Sequence, residues 1–176
     1  MKEIRPSVWP LLLLVFGLAV SGLASAEGLD EDDVEFMEEA AMSGMFEKQA
    51  AEVATARGTH PQVLAFARMM IGDHEQLASE LETLAQRKNV ALPSTLDEDH
   101  REKLRELSEA EKGEDFDETY AEMMVDGHDE TVETFEDAAD DAVDSEVKAL
   151  AAKALPTLKM HKEHAEKLDN LDDLDG

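Results

Sequence analysis

Residues 61–88 read PQVLAFARMMIGDHEQLASELETLAQRK, and the spacing inside them decides the fold. Val63, Ala67, Met70, His74, Leu77, Leu81 and Leu84 recur at alternating steps of four and three. That rhythm puts them on one stripe of an α-helix. Pro61 falls in the first turn, where its missing N–H leaves no bond unmade, and Thr59 or His60 precedes it as the cap. Histidine is the one polar residue on an otherwise apolar seam.

Three more stretches share the rhythm. The first runs from about Asp30 to Arg57, opens on acids that suit a helix N-terminus and closes at Gly58; its seam is Met37, Ala40, Gly44, Glu47, Ala51 and Ala54. The third starts at Asp115, with Glu118 in capping-box position, and continues to about Asp140 through Ala121, Met124, His128, Thr131, Phe135 and Ala138. The fourth starts near Asp144-Ser145 and continues to about Leu168 through Val147, Ala151, Ala154, Leu158, His161, Ala165 and Leu168. Seams of this kind pack helices at about +20°, which is bundle geometry. Short links join the first and last pairs. The long middle link has a turn at Asn89–Ser94 and a short extra helix ending near Leu107, with Thr95-Leu96-Asp97-Glu98 as its capping box. Two hairpins joined by a crossover predict an all-α, ferritin-like antiparallel four-helix bundle. Met69 to Glu75 echoes Met123 to Asp129, as a repeated hairpin would.

The ends read differently. Lys2 and Arg5 precede an apolar run from Trp9 to Val20, and Ala24-Ser25-Ala26 stands before Glu27 as a small-x-small cleavage site. This is the order of parts in a secretory signal peptide, and the run is short of the ~20 residues that a membrane span needs. The expected division is a signal peptide over 1–26, the bundle over 27–170 and an acidic tail over 171–176. Removing residues 1–26, which carry net +1, takes the chain from −27 to −28 over 150 residues. Such a charge repels nucleic acid and anionic lipid. With no cysteine, disulfides, thiolate metal sites, cysteine nucleophiles and an N-terminal lipidated cysteine are all excluded.

Four seam positions hold polar residues, one per helix: Glu47, His74, His128 and His161. Counted from the short links at ~1.5 Å per residue, the offsets within the hairpins are only about 5 and 7 Å, so all four can meet at mid-height. Three imidazoles and a carboxylate suit zinc, copper, iron or manganese. A hydrogen-bonded Glu–His cluster that fixes register and binds nothing is the alternative. Met70 and Met124 sit one turn before His74 and His128, a pattern open both to soft metal donors and to core filling. His164, His60 and His100 read as surface residues. The di-iron signature Glu-x-x-His is missing: Ile71, Val125 and Leu158 stand three residues before the histidines. No phosphate loop or nucleophile elbow occurs, which argues against an enzyme. Pro156 removes the hydrogen bond to the Ala152 carbonyl and predicts a kink ahead of His161.

From about Asp32 to Leu168 the chain resembles the bacterial exported family called domain of unknown function 4142. The matching pieces are Asp33-Val34-Glu35-Phe36, Ala65 to Met70, Asp73-His74, Phe116-Asp117, Tyr120, Met123-Met124-Val125, His128, and Ala154 to Leu158 followed by His161. The resemblance implies a ferritin-like fold and an extracytoplasmic location, and no activity. Asp126-Gly127-His128 departs from the Gly72-Asp73-His74 order. Two functions follow as expectations. One is metal binding or buffering in the periplasm, linked to envelope stress, with a metal ion or cationic partner. The other is a non-catalytic stress or interaction module with a structural Glu/His cluster.

Overall fold

The computed structural model describes residues 28–170, so the segments read as signal peptide and acidic tail lie outside the described residues. Five helices and no strand occur among the described residues: α1 (Glu31–Arg57), α2 (Pro61–Lys88), α3 (Glu98–Glu109), α4 (Glu114–Asp141) and α5 (Ser145–Asp169). None is long and apolar enough to cross a membrane.

Local chemistry sets the ends. Asp30 caps α1 reciprocally with Asp33, and His60 caps α2 ahead of Pro61. α2 stops at Asn89, whose left-handed φ of 58° lets Val90 N–H reach the Ala85 carbonyl. Two boundaries depart from the sequence reading. Leu96 is buried in the core, which holds the chain there, and Asp97 rather than Thr95 caps α3. α4 begins at Glu114 behind Gly113, whose φ of 125° suits glycine, with no side-chain cap. α5 continues as one helix through exposed Pro156.

α1 packs on α2 and α4, and α5 on α4 and α2, leaving α1–α5 and α2–α4 as diagonals. The three-residue links at 58–60 and 142–144 make two antiparallel hairpins. Buried aspartates lock each link to the other hairpin. Asp117 accepts hydrogen bonds from Thr59 N–H (3.0 Å), Thr59 O–H (2.6 Å) and His60 N–H (2.7 Å). Asp33 accepts from Val143 N–H (3.1 Å) and Asp144 N–H (2.9 Å). The start of α2 therefore lies beside the start of α4, and the crossover 89–113 must travel the bundle's full length, with α3 lying on α1. This is the ferritin-like arrangement.

Asp33 and Asp117 are 84 residues apart, and the same interval relates the two links and every seam position of α1–α2 to one of α4–α5. The hairpins are a two-fold repeat in that register. The Met69–Glu75 and Met123–Asp129 echo is not the repeat, because it joins α2 to α4, two parallel helices on a diagonal. In the true register His74 pairs with Leu158, and His128 with Gly44.

The core is in two halves. One contains Phe46, Phe66, Met70, Leu107, Phe116, Tyr120 and Met124; the other contains Phe36, Met37, Leu81, Leu84, Phe135 and Leu158, with Phe36 edge-on to Phe135 at 5.0 Å. Between them lies a buried polar layer.

Candidate metal centre

The layer takes Glu47 from α1, His74 from α2, His128 and Thr131 from α4, and His161 from α5, none more than 5% exposed. Each faces inward because it occupies the position that carries an apolar residue one turn away on the same stripe. The three imidazole rings lie 5.3–5.9 Å apart between centroids. One ligand nitrogen from each of His74, His128 and His161 comes within 4.8 Å of the others. Glu47 stands at the side of that triangle. Its Oε2 is 3.4 Å from His74 Nε2, its Oε1 is 3.6 Å from His128 Nδ1, and Thr131 O–H donates to Oε1 at 3.2 Å.

The outer hydrogen bonds set the tautomers. His128 Nδ1–H donates to the Met124 carbonyl at 2.9 Å, which leaves a lone pair on Nε2. His161 Nε2–H donates to Asp73 Oδ2 at 2.9 Å, which leaves a lone pair on Nδ1. Carbonyl and carboxylate partners of this kind orient metal-binding histidines and raise their basicity. Neither lone-pair nitrogen has a hydrogen-bond partner, and the same holds for both nitrogens of His74, for Glu47 Oε2 and for the Tyr120 hydroxyl.

Burial favours the neutral ring at His74 and His161. It holds His74 below the ordinary histidine range, against the pull of Glu47. It takes His161 down to about 4, opposed by the hydrogen bond to Asp73 and assisted by the other two histidines. Burial, with Glu47 nearby, raises the Tyr120 phenol. Neutral imidazoles with free lone pairs are what a metal ion requires. At metal–nitrogen bonds of about 2.0–2.1 Å, tetrahedral nitrogens would stand about 3.4 Å apart, inside the 4.8 Å within which one nitrogen of each ring lies here.

A cleft of about 120 Å³ between α2 and α5 leads to the layer, lined by Asp73, His74, Glu80, Lys153, Thr157 and His161. Asp73, with its side chain 37% exposed, is the group that touches both solvent and the site. Lys153 and Glu80 pair at 2.7 Å in the same cleft.

All four sequence-predicted residues lie in this layer, three of them at mutual ligand distance. The sequence reading passed over Asp73 and Tyr120, although the Asp73-His74 and Tyr120 pieces of the family pattern pointed to them. It also counted Thr131 only as seam. Met70 and Met124 are buried in the apolar core, and it is the Met124 carbonyl that serves the site. His164 is only half-buried rather than fully solvated, edge-on to Phe66 at 6.3 Å. His60 caps α2, and His100 pairs with Asp97 and packs on Phe46.

The sequence model described as Domain of unknown function (DUF4142) matches residues 18–168, and the chain belongs to that family. No curated protein matches it. Among solved structures it is similar to a DUF305 fragment from Deinococcus radiodurans, at 15% identity and TM-score 0.71, covering 81% of this chain and 98% of that one. It is also similar to CopM in the Cu(I)-bound form, at 20% identity and TM-score 0.64, covering 77% and 93% of the two chains. CopM in the Cu(II)-bound form matches at 19% identity and TM-score 0.66, covering 78% and 95%. At these identities the likeness shows the shared helical fold alone.

Proposed function

We propose that this member of the family binds a transition-metal ion through His74, His128 and His161, with Glu47 supplying negative charge beside them, and buffers that metal in the cell envelope. The observation that carries the reading is the convergence of buried imidazole nitrogens that have no partner. An unsatisfied buried polar group costs about 1–3 kcal/mol, so a cluster evolved only for structure should satisfy itself internally. A metal ion would satisfy three of these nitrogens at once. Nitrogen donors bind copper(II) more tightly than zinc, iron(II) or manganese, and the fold is shared with a protein solved in copper-bound forms. Copper is therefore the first candidate. The envelope location rests on the segment 1–26, read from sequence.

The test is thermal denaturation of metal-free protein titrated with copper(II), copper(I), zinc, iron(II) and manganese. Metal at a hundredfold excess over Kd stabilises by about 2.7 kcal/mol. That gain should vanish in His74→Leu and His128→Leu and shrink as pH falls. The structural reading draws on the bonds from His128 to Met124, His161 to Asp73 and Thr131 to Glu47. It expects no metal effect, and a loss of about 1–3 kcal/mol in each single variant from orphaned partners. An unchanged melting temperature with all five ions would remove the metal reading.

A further inference from the structure

His74 is the histidine left without an outer partner. His128 has the Met124 carbonyl and His161 has Asp73, whereas His74 Nδ1 has nothing within hydrogen-bonding reach. That nitrogen faces α1 at Gly44, 3.6 Å from where a Cβ would stand. Gly44 and His74 both line a groove of about 500 Å³ between α1 and α2, roofed at one end by Val90, Leu92 and Pro93 of the crossover. Its walls are small and apolar, with Ala40 and Ala41 on α1 and Ala78, Leu81 and Ala85 on α2. The other hairpin has no such room at the matching places. There Met124 and His128 stand where Ala40 and Gly44 stand here, and α4 and α5 pack more closely than α1 and α2.

Exposed Glu82, Gln86 and Ser94 also border the groove, and a mostly apolar volume of this size beside a buried, unpartnered nitrogen is the usual form of a small-molecule site. Lys48 at the rim is already paired with Glu52 at 3.0 Å and Glu75 at 3.4 Å, so no free cation is there to hold an anion. We infer that the α1–α2 groove binds a small uncharged apolar molecule carrying one hydroxyl, and that this hydroxyl pairs with His74 Nδ1. A hydroxyl both donates and accepts, so it serves either tautomer of the ring. The inference stands without a bound metal.

The test uses metal-free full-length protein and a matched pair of probes, 2-naphthol and 2-methylnaphthalene, titrated by fluorescence. One saturable site is expected, with naphthol bound about fivefold tighter through the single hydrogen bond. His74→Phe keeps the ring's shape and should bring naphthol down to the affinity of methylnaphthalene. Ala41→Phe and Ala78→Phe fill the groove from opposite walls at positions outside the buried core and should weaken both probes at least about tenfold, or about 1.4 kcal/mol. Circular dichroism melts of each variant would establish that it is folded. Absence of saturable binding, binding that survives both wall variants, or equal affinity for the two probes overturns the proposal. Because the metal titration is separate, its failure leaves this result intact.

Discussion

The two hairpins share a length, a link, a seam and an aspartate lock, yet they divide the work of the polar layer unequally. In the 84-residue register, Gly44 corresponds to His128, Glu47 to Thr131, His74 to Leu158, and Leu77 to His161. Each pair combines a residue able to bind or ionise with one that only fills space or donates a hydroxyl. A strictly symmetric layer would crowd twice as many buried polar groups into one section, each with a desolvation cost. The asymmetry also distributes packing. The second hairpin is filled by Met124 and His128, and the first is left open by Ala40 and Gly44. A repeat can therefore preserve its mechanical parts while its two copies diverge into scaffold and cavity.

The largest expected effect tests the shared part. Asp117→Ala should destabilise by about 3–4 kcal/mol by orphaning Thr59 and His60 donors at a buried carboxylate, and Asp33→Ala by about 2–3 kcal/mol, since it holds two donors of the partner link. Urea denaturation would measure both. A large loss in only one variant would break the equivalence of the two locks.

Next comes pH, which probes the divergent part. His161 has its pKa lowered to about 4 in the fold from an ordinary 6.5. Between those values the unfolded chain binds the proton and the folded chain does not, so stability rises with pH through that window. It is fully present above about 6.5 and is lost as pH falls toward 4, by on the order of 2–3 kcal/mol. His161→Leu, which copies Leu77 of the first hairpin, should flatten this part of a pH-stability curve. A curve identical to the wild type would assign the dependence to other groups.

A smaller effect follows from His74→Leu, which copies Leu158. In metal-free protein it removes two unpaired buried nitrogens, so stability should hold or rise by up to about 1 kcal/mol, as when apolar groups replace a buried polar cluster. The structural reading expects a loss instead, and chemical denaturation without metal separates the two. Smallest of all is Gly44→Ala. The added Cβ meets only His74 Nδ1, at ordinary contact distance. Removing a mid-helix glycine should therefore stabilise by about 0.5–1 kcal/mol, while narrowing the groove. A destabilised Gly44→Ala would mean that α1 and α2 approach more closely than the groove implies.

Much of this was legible beforehand for a physical reason. Helix periodicity and turn chemistry are local, so the four long helices, their links and the inward direction of Glu47, His74, His128 and His161 could be read from residue spacing alone. Counting residues from two short links was enough to bring those four to one height. The caps of α3 and α4 were harder to place, because Leu96 is drawn into the core, which leaves Asp97 as the α3 cap, and α4 starts behind Gly113 with no side-chain cap. Such competition is invisible within a short window of sequence.

What the sequence by itself determined is therefore the all-helical class, the heptad seams and the polar positions within them, all governed by a period of 3.6 residues. What only the tertiary structure decided is how side chains far apart in the chain pair up. Asp73 reaches His161 on another helix, Thr131 reaches Glu47, and the real repeat has a register of 84 residues rather than the local Met-Met echo. The open groove beside Gly44 belongs to the same kind. It exists because two helices of one hairpin pack over small residues while their counterparts pack over large ones, and a void is a property of both partners rather than of either stretch alone.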